Sequence, residues 1–440
     1  MRASHLWMFV KRSTAAIVLT AVCLPCMVSC ARIPVGSGDE NAPREAERLK
    51  SLDGRVPSPQ EKAAPPAAQP PESQGQDFGE EARLIYRVAT CMGKAPLPAG
   101  LEHAEVEKHC AEFSPRIARY RKHYQEKIKP FFDGVLPSEL PASAVYPFGG
   151  GDLLSALNTY PRATEITTLS LELVGDPRRL AGLDGQKLGE TLEVFRRQVS
   201  GLLSQNNSTS EVLQNAQRGE LPGQLAFFIT ALAIHNFEPV GLRYFTVQAD
   251  GAVHYLNQPE IQQLEAQSAQ RRKSTWIPPD FSEAFANSEL TFRHVEGDRA
   301  GILITHRHLA ANLSNDSLRR QPSILKYLEK RGRVAAMTKA ASYLLWNPAF
   351  TVIRQYLLDF MDFMVSDSTG IPPQFAQSAG FVQETYGRFQ GSFLDASPEY
   401  NEEFRELWKS QPVRKMPFRY GYPDSAKAYH LLIAKRSSPR

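Results

Sequence analysis

Between residues 144 and 173 the chain passes through four patterns in a fixed order. An apolar run, Ala144-Val145-Tyr146-Pro147-Phe148, leads into Gly149-Gly150-Gly151-Asp152. A short helical pattern from Leu153 to Asn158 follows, and then a second strand-like run from Glu165 to Leu173. Two parallel strands need a crossover between them, and a helix is the usual one. The order therefore places the body in the α/β class, as a mixed sheet with helices on both faces, Rossmann-like in outline. Glycines let a backbone approach a ligand, and an acid near the end of the second strand, here Glu172, can accept a ribose hydroxyl. The spacing departs from G-x-G-x-x-G, and three consecutive glycines serve equally well as a tight turn.

The N-terminus fixes a habitat. Lys11-Arg12 precedes the apolar run Ala15 to Leu24, and Met27-Val28-Ser29-Cys30 closes it. Basic, then apolar, then small residues before a cleavage point make a secretory signal, and a cysteine at that point makes it resemble a bacterial lipoprotein signal. Residues 1–29 are then removed, and Cys30 becomes the acylated N-terminus. Each buried acyl methylene adds about 0.8 kcal/mol to membrane affinity, so several chains on one residue hold permanently. The apolar run is short of the roughly 20 residues a spanning helix needs. Ala31, where an Asp would suggest inner-membrane retention, leans toward the outer membrane. Residues 30–78 are rich in Pro, Ala, Glu, Gln and Ser, with no aromatic residue before Phe78. Such a stretch buries too little apolar surface to offset its chain entropy and reads as a tether.

Cys91 and Cys110 remain in the body once the signal is removed and Cys30 is acylated, an even pair suited to an oxidising compartment. Both lie in helical patterns separated by Gly93, Pro96, Pro98 and Gly100, so a bridge would staple a helical hairpin over residues 79–135. Its second helix, residues 103–133, reads as one long helix that Pro115 could interrupt, and carries Phe113, Ile117, Tyr120, Tyr124, Ile128 and Phe131 at spacings of three and four. This apolar stripe suits packing on the α/β body, residues 136–440; a basic helix lying on lipid is the other reading. The net charge of +4 is too small to argue for nucleic acid, and export argues against that partner further.

Further along, helical patterns cover 187–204 and 210–235. Hairpins are expected at 242–256, turning on Asp250-Gly251, and at 290–308, turning on Glu296-Gly297-Asp298. The Gln-rich stretch 258–275 reads as a connection or an exposed helix. Residues 338–363 read as an apolar helical region broken at Pro348, and 364–372 as a strand entering a polar turn. Residues 418–422 and 429–434 suggest a final strand pair.

Three motifs carry a resemblance. They are Tyr146-Pro147-Phe148 followed by glycines and Asp152, Lys339-Ala340-Ala341-Ser342-Tyr343-Leu344-Leu345, and Asp367-Ser368-Thr369-Gly370-Ile371-Pro372. From residue 144 to residue 435 the chain resembles a family of uncharacterised exported bacterial proteins, many of them lipoproteins. It departs from the family pattern in having Ser368 where a second acid is expected and Gly at 149 and 151. The resemblance implies no reaction.

Asp152 and Asp367 are the carboxylates that would carry a site, each at the C-terminal end of an expected strand beside glycine, where open α/β sheets place ligands. Asp also caps turns and helix N-termini, which is the plainer role for both. Candidate ligand contacts are Gly149, Gly150, Gly151, Asp152, Glu172, Asp367 and Ser368. His306 and His308, two apart on a strand, share a face and could hold a metal, although two such histidines are more commonly surface residues. No G-x-S-x-G elbow is present, and Ser368 has no histidine near it in sequence. The β-α-β start and the final strand pair allow a topology like that of class I methyltransferases, with the cofactor lost or exchanged; no cofactor is expected. The reading is a cell-envelope lipoprotein that binds or supports, held to a membrane through the N-terminal lipid, with its protein or envelope partner left open. The alternative is an exported enzyme with its site near Asp152 and Asp367, either a degenerate methyltransferase or a hydrolase.

Overall fold

The structure, a computed structural model, describes residues 75–205, 221, 223–274, 282–391, 398–420 and 429–437. The signal and Cys30 lie outside these residues, as does the tether up to residue 74.

The helical hairpin opens the described chain with α1 (Gly79–Thr90) and α2 (His103–His123). A π-turn (Tyr124–Ile128) then runs into α3 (Lys129–Val135). Cys91 and Cys110 form a disulfide with their Cα atoms 5.4 Å apart, joining the end of α1 to α2. On the chain-entropy account a bridge over a loop of this length is worth about 3 kcal/mol. Pro115 lies inside α2 and does not break it. The buried residues of this arm are Val106, His109, Phe113, Ile117, Tyr120, Tyr124, Ile128 and Phe132, one stripe along its length.

The body begins with β1 (Ser143–Pro147), α4 (Leu153–Thr159) and β2 (Glu165–Ser170), the unit expected from the sequence. Next come α5 (Gly185–Gln205), α6 (Gly223–Ile234), β3 (Phe237–Val247), β4 (Val253–Tyr255) and α7 (Gln258–Ser274). Then follow β5 (Ser288–His294), β6 (Leu303–Ala310), α8 (Asn315–Arg320), α9 (Ser323–Glu329) and β7 (Val334–Thr338). The chain continues through α10 (Thr351–Phe360), β8 (Met361–Ser366), α11 (Pro373–Ser378), β9 (Phe381–Gly387), α12 (Pro398–Lys409) and β10 (His430–Arg436). Both expected hairpins form, β3 with β4 around Gly251 (φ +84°) and β5 with β6.

Two expectations fail. Residues 338–363 are not uniformly helical: Thr338 ends a strand, 3-10 turns follow it, and β8 starts at Met361. The last strand pairs with β9 at 381–387, not with residues 418–420, which lie outside any strand.

One ten-stranded sheet runs in the order β4-β3-β5-β6-β2-β1-β7-β8-β10-β9. The five strands β6-β2-β1-β7-β8 are parallel to their neighbours in this block. Numbered within the block they run 3-2-1-4-5, the doubly wound order. Antiparallel β10 then enters between β8 and β9. Alternate residues face opposite sides. Ala144, Tyr146, Ile166, Ala335, Met337 and Val365 join the core shared with α1, α2 and α6, whereas Val145, Leu169, Leu309, Ala336 and Met364 join the one shared with α9 and α10. Helices thus cover both faces. Every residue of α6 is buried, as expected of a helix apolar all round.

Candidate functional site

The strand order reverses between β1 and β7, and open α/β sheets receive ligands outside the C-terminal ends of the strands at such a point. The sequence places polar groups there on each side. After β1 the chain turns sharply. Phe148 takes φ +59° and Gly150 φ +51°. The left-handed region costs a non-glycine residue about 1 kcal/mol or more, and Phe148 packs edge-on against Phe350 at 5.7 Å. A Cβ at Gly149 would lie 2.8 Å from the Tyr146 ring. That glycine therefore admits the chain's own tyrosine. The turn is closed by Asp152 N–H donating to the Gly149 carbonyl at 3.0 Å.

Asp152 caps α4, its Oδ1 accepting from Ser155 N–H at 3.1 Å. Its other oxygen does more. Lys339, the residue after β7, donates from Nζ to Asp152 Oδ2 at 3.0 Å and to Ser155 Oγ at 2.7 Å. Tyr146 hydroxyl donates to the same Oδ2 at 3.3 Å. The Lys339 side chain is 0% exposed and that of Asp152 4%. Lys339 also lies over the Tyr420 ring, 5.4 Å from its centre.

Asp367 follows β8. Its N–H donates to the Thr338 carbonyl at 3.2 Å, and its Oδ1 accepts from Thr369 N–H at 2.8 Å and from the Thr369 hydroxyl. A Cβ at Gly370 would lie 2.1 Å from Ser366 Oγ and 2.5 Å from Thr338 Oγ1, so only glycine fits this turn. The Tyr420 hydroxyl is pushed well above its ordinary 10 by burial first, then by Asp367 and Tyr160, against the opposing Thr159, with Asp152 a smaller influence. Ser368 does have a histidine: Oγ lies 2.9 Å from His430 Nε2 at the start of β10, and both are fully buried. Phe389 and Trp408 stand edge-on to that imidazole.

At the ends of β2 and β6 the two expected histidines do share a face, and they are not surface residues; both are fully buried. Both meet one hydroxyl: Thr168 Oγ1 lies 2.9 Å from His306 Nε2 and 2.9 Å from His308 Nδ1. His308 Nε2 lies 3.0 Å from the Glu172 carbonyl, which can only accept. That fixes every proton in the row. His308 Nε2–H donates to Glu172, Thr168 O–H donates to His308 Nδ1, and His306 Nε2–H donates to Thr168. Burial holds His308 down to about 4 and His306 well below 6.5, with His308 a further influence on His306. Among the described residues no group of three His, Cys, Asp or Glu is placed to hold a metal. Glu172 contributes its carbonyl to this row and is itself half-buried.

The structure thus gathers Asp152, Asp367 and Tyr420 at the reversal point, while Gly149 to Gly151 form a turn closed on the chain itself. Sequence reasoning missed Lys339 and His430 as site residues. The usable signal for Lys339 was a lysine one residue beyond the all-apolar run Val334-Ala335-Ala336-Met337, after Thr338. His430 stands directly before Leu431-Leu432-Ile433-Ala434. Comparison with family models, with curated proteins and with solved structures gives no match.

Proposed function

We propose that this chain is a lipid-anchored protein of the bacterial cell envelope whose α/β body binds or supports and does not catalyse. The anchor follows from Ser29-Cys30 and the polar, Pro-rich stretch after it. The observation that carries the non-catalytic reading is the buried Lys339 ammonium, joined to Asp152 and Ser155 where a doubly wound sheet receives its ligand. A catalytic acid or base must reach a substrate atom, and these groups are already engaged with one another. The Cys91–Cys110 bridge accords with an oxidising compartment. Two measurements test this on the full chain. Mass spectrometry of the mature N-terminus should find acylated Cys30; an unmodified residue removes the anchor. Thermal unfolding with nucleotides and S-adenosylmethionine should show no saturable shift; a shift abolished by Asp152→Asn, accompanied by turnover of the added compound that the same substitution removes, overturns the non-catalytic reading.

One observation favours a second reading, an exported hydrolase. Ser368 and His430 stand at the separation of a nucleophile and its base. A fluorophosphonate probe that labels Ser368, and fails to do so in His430→Gln, would establish it.

A further inference from the structure

On the outer side of the helical hairpin, α2 and α5 pack together and leave a groove of about 540 Å³ lined by Arg116, Arg119, Tyr120, His123, Ser200 and Leu203. This size lies within the usual range of small-ligand sites, about 300–1,000 Å³. Arg116, Arg119 and His123 fall at i, i+3 and i+7 on α2, so the helix period brings all three to one side. Arg116 is held in place: its Nη1 donates to the Arg196 carbonyl at 3.3 Å and to Ser200 Oγ on α5. Arg119 is exposed, and among the described residues no carboxylate pairs with it. The nearby acid on α2, Glu112, is engaged at 3.1 Å by Arg196. Burial first, then Lys127, lowers His123 below 6.5 against the opposing Glu126, so at neutral pH it offers one donor and one acceptor and no charge. The floor of the groove is Tyr120, whose hydroxyl accepts from Asn158 Nδ2 at 2.9 Å; Asn158 Oδ1 in turn lies 3.0 Å from His235 Nε2.

We infer that this groove is a binding site for a phosphate-type oxyanion, held between the Arg116 and Arg119 guanidinium groups with Ser200 and His123 beside it. Planar guanidinium groups match phosphate oxygens two at a time, which a lysine cannot do. A pinned arginine beside a free one provides one fixed and one adaptable half of such a clamp. The anion has two sources, a soluble phosphate compound or a phospholipid headgroup, and both offer the same oxygens. The inference stands apart from the crevice and is independent of whether that crevice catalyses.

The test uses the full chain carrying Cys30→Ala, so that contact with lipid comes from the folded body alone. Inorganic pyrophosphate is titrated by calorimetry, and vesicles of phosphatidylcholine with and without phosphatidylglycerol are sedimented with the protein. Saturable binding to either probe is expected. Arg119→Ala should weaken it about tenfold, the loss of one charge-assisted contact. Lys122→Ala, on the same helix with a side chain 74% exposed and outside the groove, should leave it unchanged. Pyrophosphate binding without vesicle binding assigns a soluble ligand, and the reverse assigns a headgroup. No binding of either probe, equal binding by Arg119→Ala, or an equal loss in Lys122→Ala overturns the inference.

Discussion

The crevice position at the C-terminal ends of β1 and β7, filled by buried side chains, and the groove between α2 and α5 both concentrate charge, and they handle it in opposite ways. In the crevice Lys339, Asp152 and Asp367 are withdrawn from water and each is met by several partners. In the groove only Arg116 is tied down, and Arg119 keeps its hydration. Taking a charge out of water carries a penalty of several kcal/mol that only good geometry offsets. A charge left at the surface carries almost none and is free to meet something else. The difference teaches where to look for a partner in this molecule: the closed cluster holds the fold, and the open one is available.

The largest expected effect breaks the closed side. Lys339→Met should lower unfolding free energy by about 3–5 kcal/mol, because Asp152 is left buried and charged without its cation. Lys339→Met combined with Asp152→Leu should recover much of that loss in denaturant titrations. If the single substitution costs no more than a surface change, the crevice is wetter than its geometry implies, and the contrast with the groove disappears.

A smaller effect comes from acid. His308 stays neutral in the fold down to about pH 4, while in the unfolded chain it takes a proton near 6.5. Below 6.5 the unfolded state therefore binds a proton that the native state does not, and stability falls as pH drops from 6.5 to 4. The slope is about 1.4 kcal/mol per pH unit for this residue, a loss of roughly 3 kcal/mol in total. Above 6.5 it contributes no slope. His308→Gln should flatten the profile by that amount in equilibrium unfolding across this window; an unchanged profile would place the residue in contact with water. His109, also held to about 4, mainly by burial, adds a slope of its own that the substitution leaves in place.

The smallest effect sharpens the open side. Arg119→Ala should change stability by less than about 0.5 kcal/mol, as substitutions at exposed positions away from packed features do. A larger loss in thermal unfolding would show that Arg119 holds α2 against α5, and would move the groove into the same class as the crevice.

The sequence made local units readable and left distant pairings hidden. β1, α4 and β2 are legible because each changes period at a glycine or an aspartate within thirty residues. The Asp250-Gly251 turn announces its hairpin, and two lone cysteines announce their bridge. β7 was hidden because Val334 to Thr338 runs straight into Ala- and Leu-rich turns that share the composition of a helix. β9 alternates poorly, with Gln383 and Glu384 adjacent, as an edge strand with one ladder can. Lys339 meets Asp152 across 187 residues and His430 meets Ser368 across 62, and local patterning carries no record of such meetings. Gly149 to Gly151 form a turn and Asp152 caps α4. Their role as a turn and cap was the plainer of the two readings offered.

The π-turn at Tyr124–Ile128 has a consequence for the whole arm. On a helix of 3.6 residues per turn, each step of four swings a side chain about 40° around the axis. Tyr120, Tyr124, Ile128 and Phe132 are three such steps in a row, enough on a regular helix to carry the last ring off the side that faces the sheet. The wider turn takes up that surplus rotation, and Phe132 arrives fully covered. Regular winding of the unshortened chain would turn Phe132 about 120° from Tyr120, whereas one residue removed between 124 and 128 would leave eleven steps, bring Phe132 back to within about 20° of the stripe and make the wider turn unnecessary.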